Sequence, residues 1–130
     1  MNRDETVIAI RPEIKLTETP QLPIEQFMHT TLRPILKFQH IILVSWFEDF
    51  IERNKISLPQ HPKLKSQAIE DLLKVNQKLR HAMFGLVSGH FTQLELNFYL
   101  QHYTELNKRI VGMIVKRIHD HYQLRLSNTD

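Results

Sequence analysis

Arg80 makes the sharpest chemical demand in this chain. On a helical wheel at about 100° per residue, Arg80 and Asn76 fall inside an apolar stripe made by Ile69, Leu72, Leu73, Leu79, Met83, Leu86 and Val87. A guanidinium on such a face must be met, because a buried charge left without its partner costs about 3–5 kcal/mol. Three kinds of group answer the demand: a carboxylate such as Glu95, the carbonyls of a helix end, or an anionic ligand. Gln39 lies on the stripe of the preceding helical segment, and Tyr99 and Tyr103 on that of the following one. Antiparallel pairing through the two turns brings Asn76 level with Gln39 and Arg80 level with Tyr99. Arg80, Asn76, Gln39, Tyr99 and Tyr103 are therefore expected to share a layer, which either fixes helix register or holds a small anion.

Other chemistries find less support. Cysteine is absent, which removes disulfides, thiolate zinc sites, iron–sulfur ligation and thiol nucleophiles together. Histidine is plentiful, with eight copies, yet no Glu-x-x-His pair of the di-iron bundle type occurs. Glu25 with His29, and His102 with Glu105, could each supply two ligands, whereas His119 and His121 diverge by about 200° on a helix. No metal or cofactor is expected. The spacing of Arg33 and His40 resembles the Arg-His element of HEPN-type ribonucleases, but it stands near the start of the first long helix, where that family carries it late. No serine–histidine–acid set stands out, so no catalytic residue is assigned. Lys108, Lys116 and His119 recur at helical spacing around Gly112, with Arg109 beside them, as a phosphate-binding stripe would. Glu105 shares that face and no exposed aromatic row interleaves with it, so an ordinary solvated face is preferred and nucleic acid is disfavoured.

The elements that must position these residues are helical. Gly89-His90-Phe91-Thr92-Gln93-Leu94-Glu95-Leu96 closes one helix and opens the next. Gly89 is expected to end the first in the left-handed conformation. Thr92 and Glu95 have capping-box spacing, and Phe91 and Leu96 that of a hydrophobic staple. Thr31 is expected to cap the first long helix, with Pro34 in its first turn. The spacing predicts an all-α fold: an antiparallel bundle of three long helices over about 31–54, 62–88 and 93–122. Residues 24–124 form one domain. Pro12, Pro20 and Pro23 make 1–23 an extended N-terminal arm, and 125–130 a tail.

Arg33-Pro34-Ile35-Leu36-Lys37-Phe38-Gln39, Gly89-His90-Phe91-Thr92-Gln93-Leu94-Glu95 and Lys108-Arg109-Ile110 resemble a family of short all-helical bacterial proteins. The resemblance covers nearly the whole chain. It implies the helical frame and no active site.

Charge and hydropathy restrict the partners. The 130 residues carry a formal net charge of +3, with acids and bases interspersed. The chain opens Met1-Asn2-Arg3-Asp4-Glu5 and no long apolar run follows, so neither a signal peptide nor a membrane span is expected, and a cytoplasmic location is. The first long helix is apolar around about half its girth, more than one neighbour covers. Its apolar residues include Ile42, Val44, Trp46, Phe47 and Ile51, with Phe38 and Ile41 outside the main arc. This width predicts a homodimer burying Phe47, Ile51 or Val44. The function expected is a non-enzymatic binding or regulatory module whose partner is a second copy or another protein; a small-anion site at Arg80 and weak nucleic-acid binding through the third long helix, about 93–122, are the alternatives.

Overall fold

A computed structural model describes residues 2–14 and 22–127. Among them every regular element is helical and no strand occurs. The elements are α1 (Arg3–Ala9), α2 (Pro23–Phe27), a π-helical turn (Met28–Leu32), α3 (Arg33–Phe38), α4 (His40–Arg53), α5 (Pro62–Val75), α6 (Gln77–Ser88), α7 (Gln93–Gln101) and α8 (Tyr103–Ser127). No helix among the described residues is long and apolar enough to cross a membrane.

Each of the three long runs anticipated from periodicity is interrupted once. Gln39 (φ −91°, ψ 5°) separates α3 from α4. Asn76 (φ −91°, ψ 99°) ends α5, and its Oδ1 accepts from the Leu79 amide at 3.0 Å, so α6 starts with a new cap. His102 (φ −127°, ψ 25°) separates α7 from α8. Gly112, although glycine is a poor helix former, lies inside unbroken helix. An asparagine outcompetes helix propagation because its short side chain can bond the backbone locally.

The N-terminal segment departs from the extended expectation. Asn2 accepts from the Glu5 amide at 2.8 Å and Asp4 and Glu5 occupy the first turn, so residues 3–9 become helix before Pro12 can forbid it. The rest of the predicted arm, 15–21, and the end of the tail, 128–130, lie outside the described residues, while α8 runs on to Ser127.

The described chain divides into two compact units, Met1–Gln39 with Phe84–Ile110, and His40–Met83 with Val111–Asp130. In the first, Phe27 stacks on Phe98 with ring centroids 5.0 Å apart and meets Phe91 edge-on at 5.5 Å. The π-helical turn stands directly ahead of Pro34. A proline ring inside a helix clashes with the carbonyl four residues back, here Thr30, and the chain widens so that the Arg33 amide bonds the Met28 carbonyl. Thr31 consequently caps nothing; it is buried in this turn. Gly89 also differs from expectation, since no glycine among the described residues takes a positive φ. The helix ends there through short turns, His90 to the Val87 carbonyl and Phe91 to that of Ser88. A Cβ on Gly89 would meet the Gly85 carbonyl oxygen at 3.0 Å, a close approach that suits glycine.

In the second unit Leu43, Val44, Phe47, Ile69, Leu73, Ile114 and Ile118 are buried. Phe47 meets the Tyr122 ring at 6.3 Å, and His40 meets the His121 ring at 5.7 Å. Farther along both helices, Arg125 donates to Glu48 at 3.2 Å. Rising numbers pair with rising numbers, so α4 and this part of α8 run parallel. The left-handed residue that the pattern placed at Gly89 occurs instead at Lys55 (φ 52°). Ile56 donates to the Ile51 carbonyl at 2.9 Å and Lys55 to that of Glu52 at 3.2 Å, the two bonds of a Schellman motif ending α4. A side chain in the left-handed region costs about 1 kcal/mol relative to glycine. Lys55→Gly is therefore expected to stabilise the protein by about 0.5–1 kcal/mol, read as a higher midpoint in urea unfolding. An unchanged or lower midpoint would show that the lysine side chain contributes more than its backbone costs.

Candidate functional site

Of the residues expected to form the polar layer, Arg80 and Asn76 belong to one compact unit and Gln39, Tyr99 and Tyr103 to the other, and each set has partners within its own unit. Arg80 donates to the Leu73 carbonyl at 3.3 Å and the Lys74 carbonyl at 2.5 Å, so the helix-end carbonyls of α5 meet its charge. The Arg80 amide also bonds the Asn76 carbonyl at 3.0 Å, and these two predicted residues do come together, as the hinge between α5 and α6. Gln39 donates to the Leu86 carbonyl at 3.3 Å and lies 3.0 Å from His90 Nε2. Tyr99 donates from its hydroxyl to Asn107 at 2.5 Å and packs against Phe91; burial, opposed by the Asn107 bond, pushes its phenol above the ordinary range. Tyr103 is exposed. Among the described residues no hydrogen bond or ring contact joins Gln39, Tyr99 and Tyr103.

On α8, Arg109 donates to Glu105 at 3.1 Å and Lys116 to Asp120 at 3.1 Å. Two cations of the expected phosphate stripe thus carry carboxylate partners one turn away, while Lys108 is exposed. Arg33 lies 3.4 Å from His29, and His40 3.4 Å from Arg117, so each half of the ribonuclease-like spacing has its own neighbour. Among the described residues no group of three or more His, Asp or Glu side chains is placed to hold a metal ion.

The most heavily built polar cluster was not anticipated as such. Glu95 closes the capping box by accepting from the Thr92 amide at 2.8 Å, while Thr92 Oγ1 accepts from the Glu95 amide at 3.2 Å. The same carboxylate takes both arms of Arg11, at 2.6 and 2.8 Å, and the Thr31 hydroxyl at 2.9 Å. Arg11 also donates to the His90 carbonyl at 2.7 Å, and Arg3 to those of Gly89 and Phe91, both at 2.7 Å. Burial alone would raise the Glu95 carboxyl, but the hydrogen bonds from Arg11, Thr92 and Thr31 outweigh it and hold the group below its ordinary value. Burial, with Arg11 and Arg3 nearby, pushes His90 below the usual histidine range. Burial, with Arg117 and His121, does the same to His40. With the Glu95 carboxylate accepting four hydrogen bonds, this cluster holds structure together.

What remains open to solvent is α4. Leu43, Val44 and Phe47 face inward, Phe47 with no exposed surface, so Val44 and Phe47 are spent in the core and cannot form the dimer contact expected of them. Ile41 (66% exposed), Ile42 (45%) and Trp46 (48%) face outward. Ser45, Asp49 and Arg53 continue that outer face, and Arg53 donates to Asp49 at 2.7 Å. Along its flank runs a cleft of about 570 Å³ walled by Trp46, Phe50 and Leu79, with Asp49, Arg53 and Lys78 at the rim. Asn54 and Asn76 also line it.

No family model matches the chain, and no match was found among curated proteins or among solved structures.

Acidification is expected to destabilise the protein in two ranges. His40 and His90 titrate lower in the folded state than in the unfolded one, so the unfolded chain binds protons first and stability falls as pH drops through the ordinary histidine range. The Glu95 contribution is fully present above the ordinary carboxylate range and is lost as pH falls through its depressed value. Glu95→Gln should remove that second, more acidic fall in urea midpoint and leave the first. At neutral pH Arg11→Met, which strips the carboxylate of its countercharge, should cost about 3 kcal/mol.

Proposed function

We propose that the protein is a non-enzymatic binding module that self-associates through the outer face of α4. The observation that carries this reading is the exposure of Ile41, Ile42 and Trp46 together on one helix. Single exposed apolar side chains are ordinary, but Ile42 and Trp46, one turn apart on the same face, make a patch that is costly to leave in water and has the make-up of an interface centre. Ser45, next to Trp46, is small enough for a facing helix to approach closely. Asp49 and Arg53 extend the face and cancel each other's charge, so a second copy meets no like-charge repulsion there. A two-fold contact needs such a self-complementary patch, and a stable one buries roughly 800 Å² per partner. The parallel course of α4 and the second unit's part of α8 supports an up-down-up order for the three long helical runs, each interrupted once. The Glu95 carboxylate and the Arg80 guanidinium are engaged within the fold, which favours binding over catalysis, and a cytoplasmic setting suits a cysteine-free chain.

Sedimentation velocity at micromolar concentration tests the reading. A dimer is expected for the wild type and a monomer for Ile42→Asp, with unchanged helical circular dichroism because Ile42 is not part of the core. A wild type that sediments as a clean monomer would refute self-association through this face.

A further inference from the structure

The cleft along the flank of α4 has the attributes of a small-molecule site. Its volume, about 570 Å³, lies within the roughly 300–1,000 Å³ range of ligand pockets. Two backbone devices shape it: the left-handed Lys55, which ends α4 just beyond Asn54, and the Asn76 interruption, which starts α6 afresh. The walls are aromatic and aliphatic, from Trp46, Phe50 and Leu79.

The rim decides the sign of the ligand. Arg53 and Lys78 contribute two positive charges and Asp49 one negative, leaving one net positive charge. Asp49 is engaged by Arg53 at 2.7 Å. Lys78 carries no hydrogen bond or ion pair among the described residues. It stands in the first turn of α6, where no acidic residue accompanies it, so its charge adds to the positive end of the helix. The negative end of α5 is already covered by Arg80. A ligand carrying one negative charge relieves this imbalance, while a cation worsens it.

We infer that this cleft binds a small amphiphilic monocarboxylate, its hydrocarbon part against Trp46 and Phe50 and its carboxylate at Lys78. The inference does not rest on self-association, and the two are separable because the titration is run in the monomeric background of Ile42→Asp as well as in the wild type. Trp46 is the chain's sole tryptophan and reports directly from the cleft wall. Octanoate should produce a saturable change in Trp46 emission and raise the melting temperature of the monomeric Ile42→Asp variant, and bind the wild type no more tightly, because a second copy on the outer face of α4 shares Trp46, Asp49 and Arg53 with the cleft. Lys78→Gln, on an exposed side chain, should weaken octanoate about fivefold without altering the unliganded melt, and Asp49→Asn should leave binding equal or tighter. Octyltrimethylammonium should bind more weakly than octanoate. Absence of saturation with octanoate, indifference to Lys78→Gln, or equal binding of the cationic amphiphile would each overturn the assignment.

Discussion

Four hydrogen bonds converge on the carboxylate of Glu95, and much of the first unit is organised by them. One ends on the amide of Thr92 and starts α7. One comes from Thr31, inside the π-helical turn that Pro34 forces open. Two come from Arg11, which follows α1 and also ties down the carbonyl of His90. A single side chain thereby joins segments far apart in sequence at the cost of burying one ion pair. That cost is offset because both partners are multiply hydrogen-bonded and neither is left with an unmet charge. Arg3 repeats the device on the carbonyls of Gly89 and Phe91, so the chain reversal between α6 and α7 has its carbonyls covered by side chains from the N-terminus.

Arg80 shows the same rule with a different partner. A guanidinium on an apolar helix stripe must be matched, and α5 ends one turn before it with free carbonyls at Leu73 and Lys74. The helix break at Asn76 creates both the carbonyls and the arginine's reach to them. With Arg80 occupied in this way and Arg53 paired with Asp49, the unmatched positive charge on the cleft beside Trp46 belongs to Lys78. The surplus of apolar surface on α4 lies next to it. Both features, the apolar face and the cationic rim, arise where the second unit's helices end and restart.

Helix content, the Thr92–Glu95 capping box and the excess apolar girth of α4 were legible because they depend on residues within one or two turns of each other. Phe38 and Ile41, outside the main apolar arc, are indeed exposed. Periodicity was silent about Gln39, Asn76 and His102, since a single non-helical residue barely disturbs a 3.6-residue pattern. Lys55 carried no glycine to announce its left-handed turn, and Asn2 stood too near the start for its capping role to outweigh the prolines that follow. Which part of the α4 surplus stays outside, Trp46 and Ile42 in place of Phe47 and Val44, depended on what α5 and α8 cover. The joining of Arg11 and Thr31 to Glu95 spans 84 and 64 positions, a distance at which no local rule pairs one arginine with one carboxylate over another. Local propensities and caps act through neighbours in the chain; charge partners and exposed faces are chosen by packing, which only the folded chain decides.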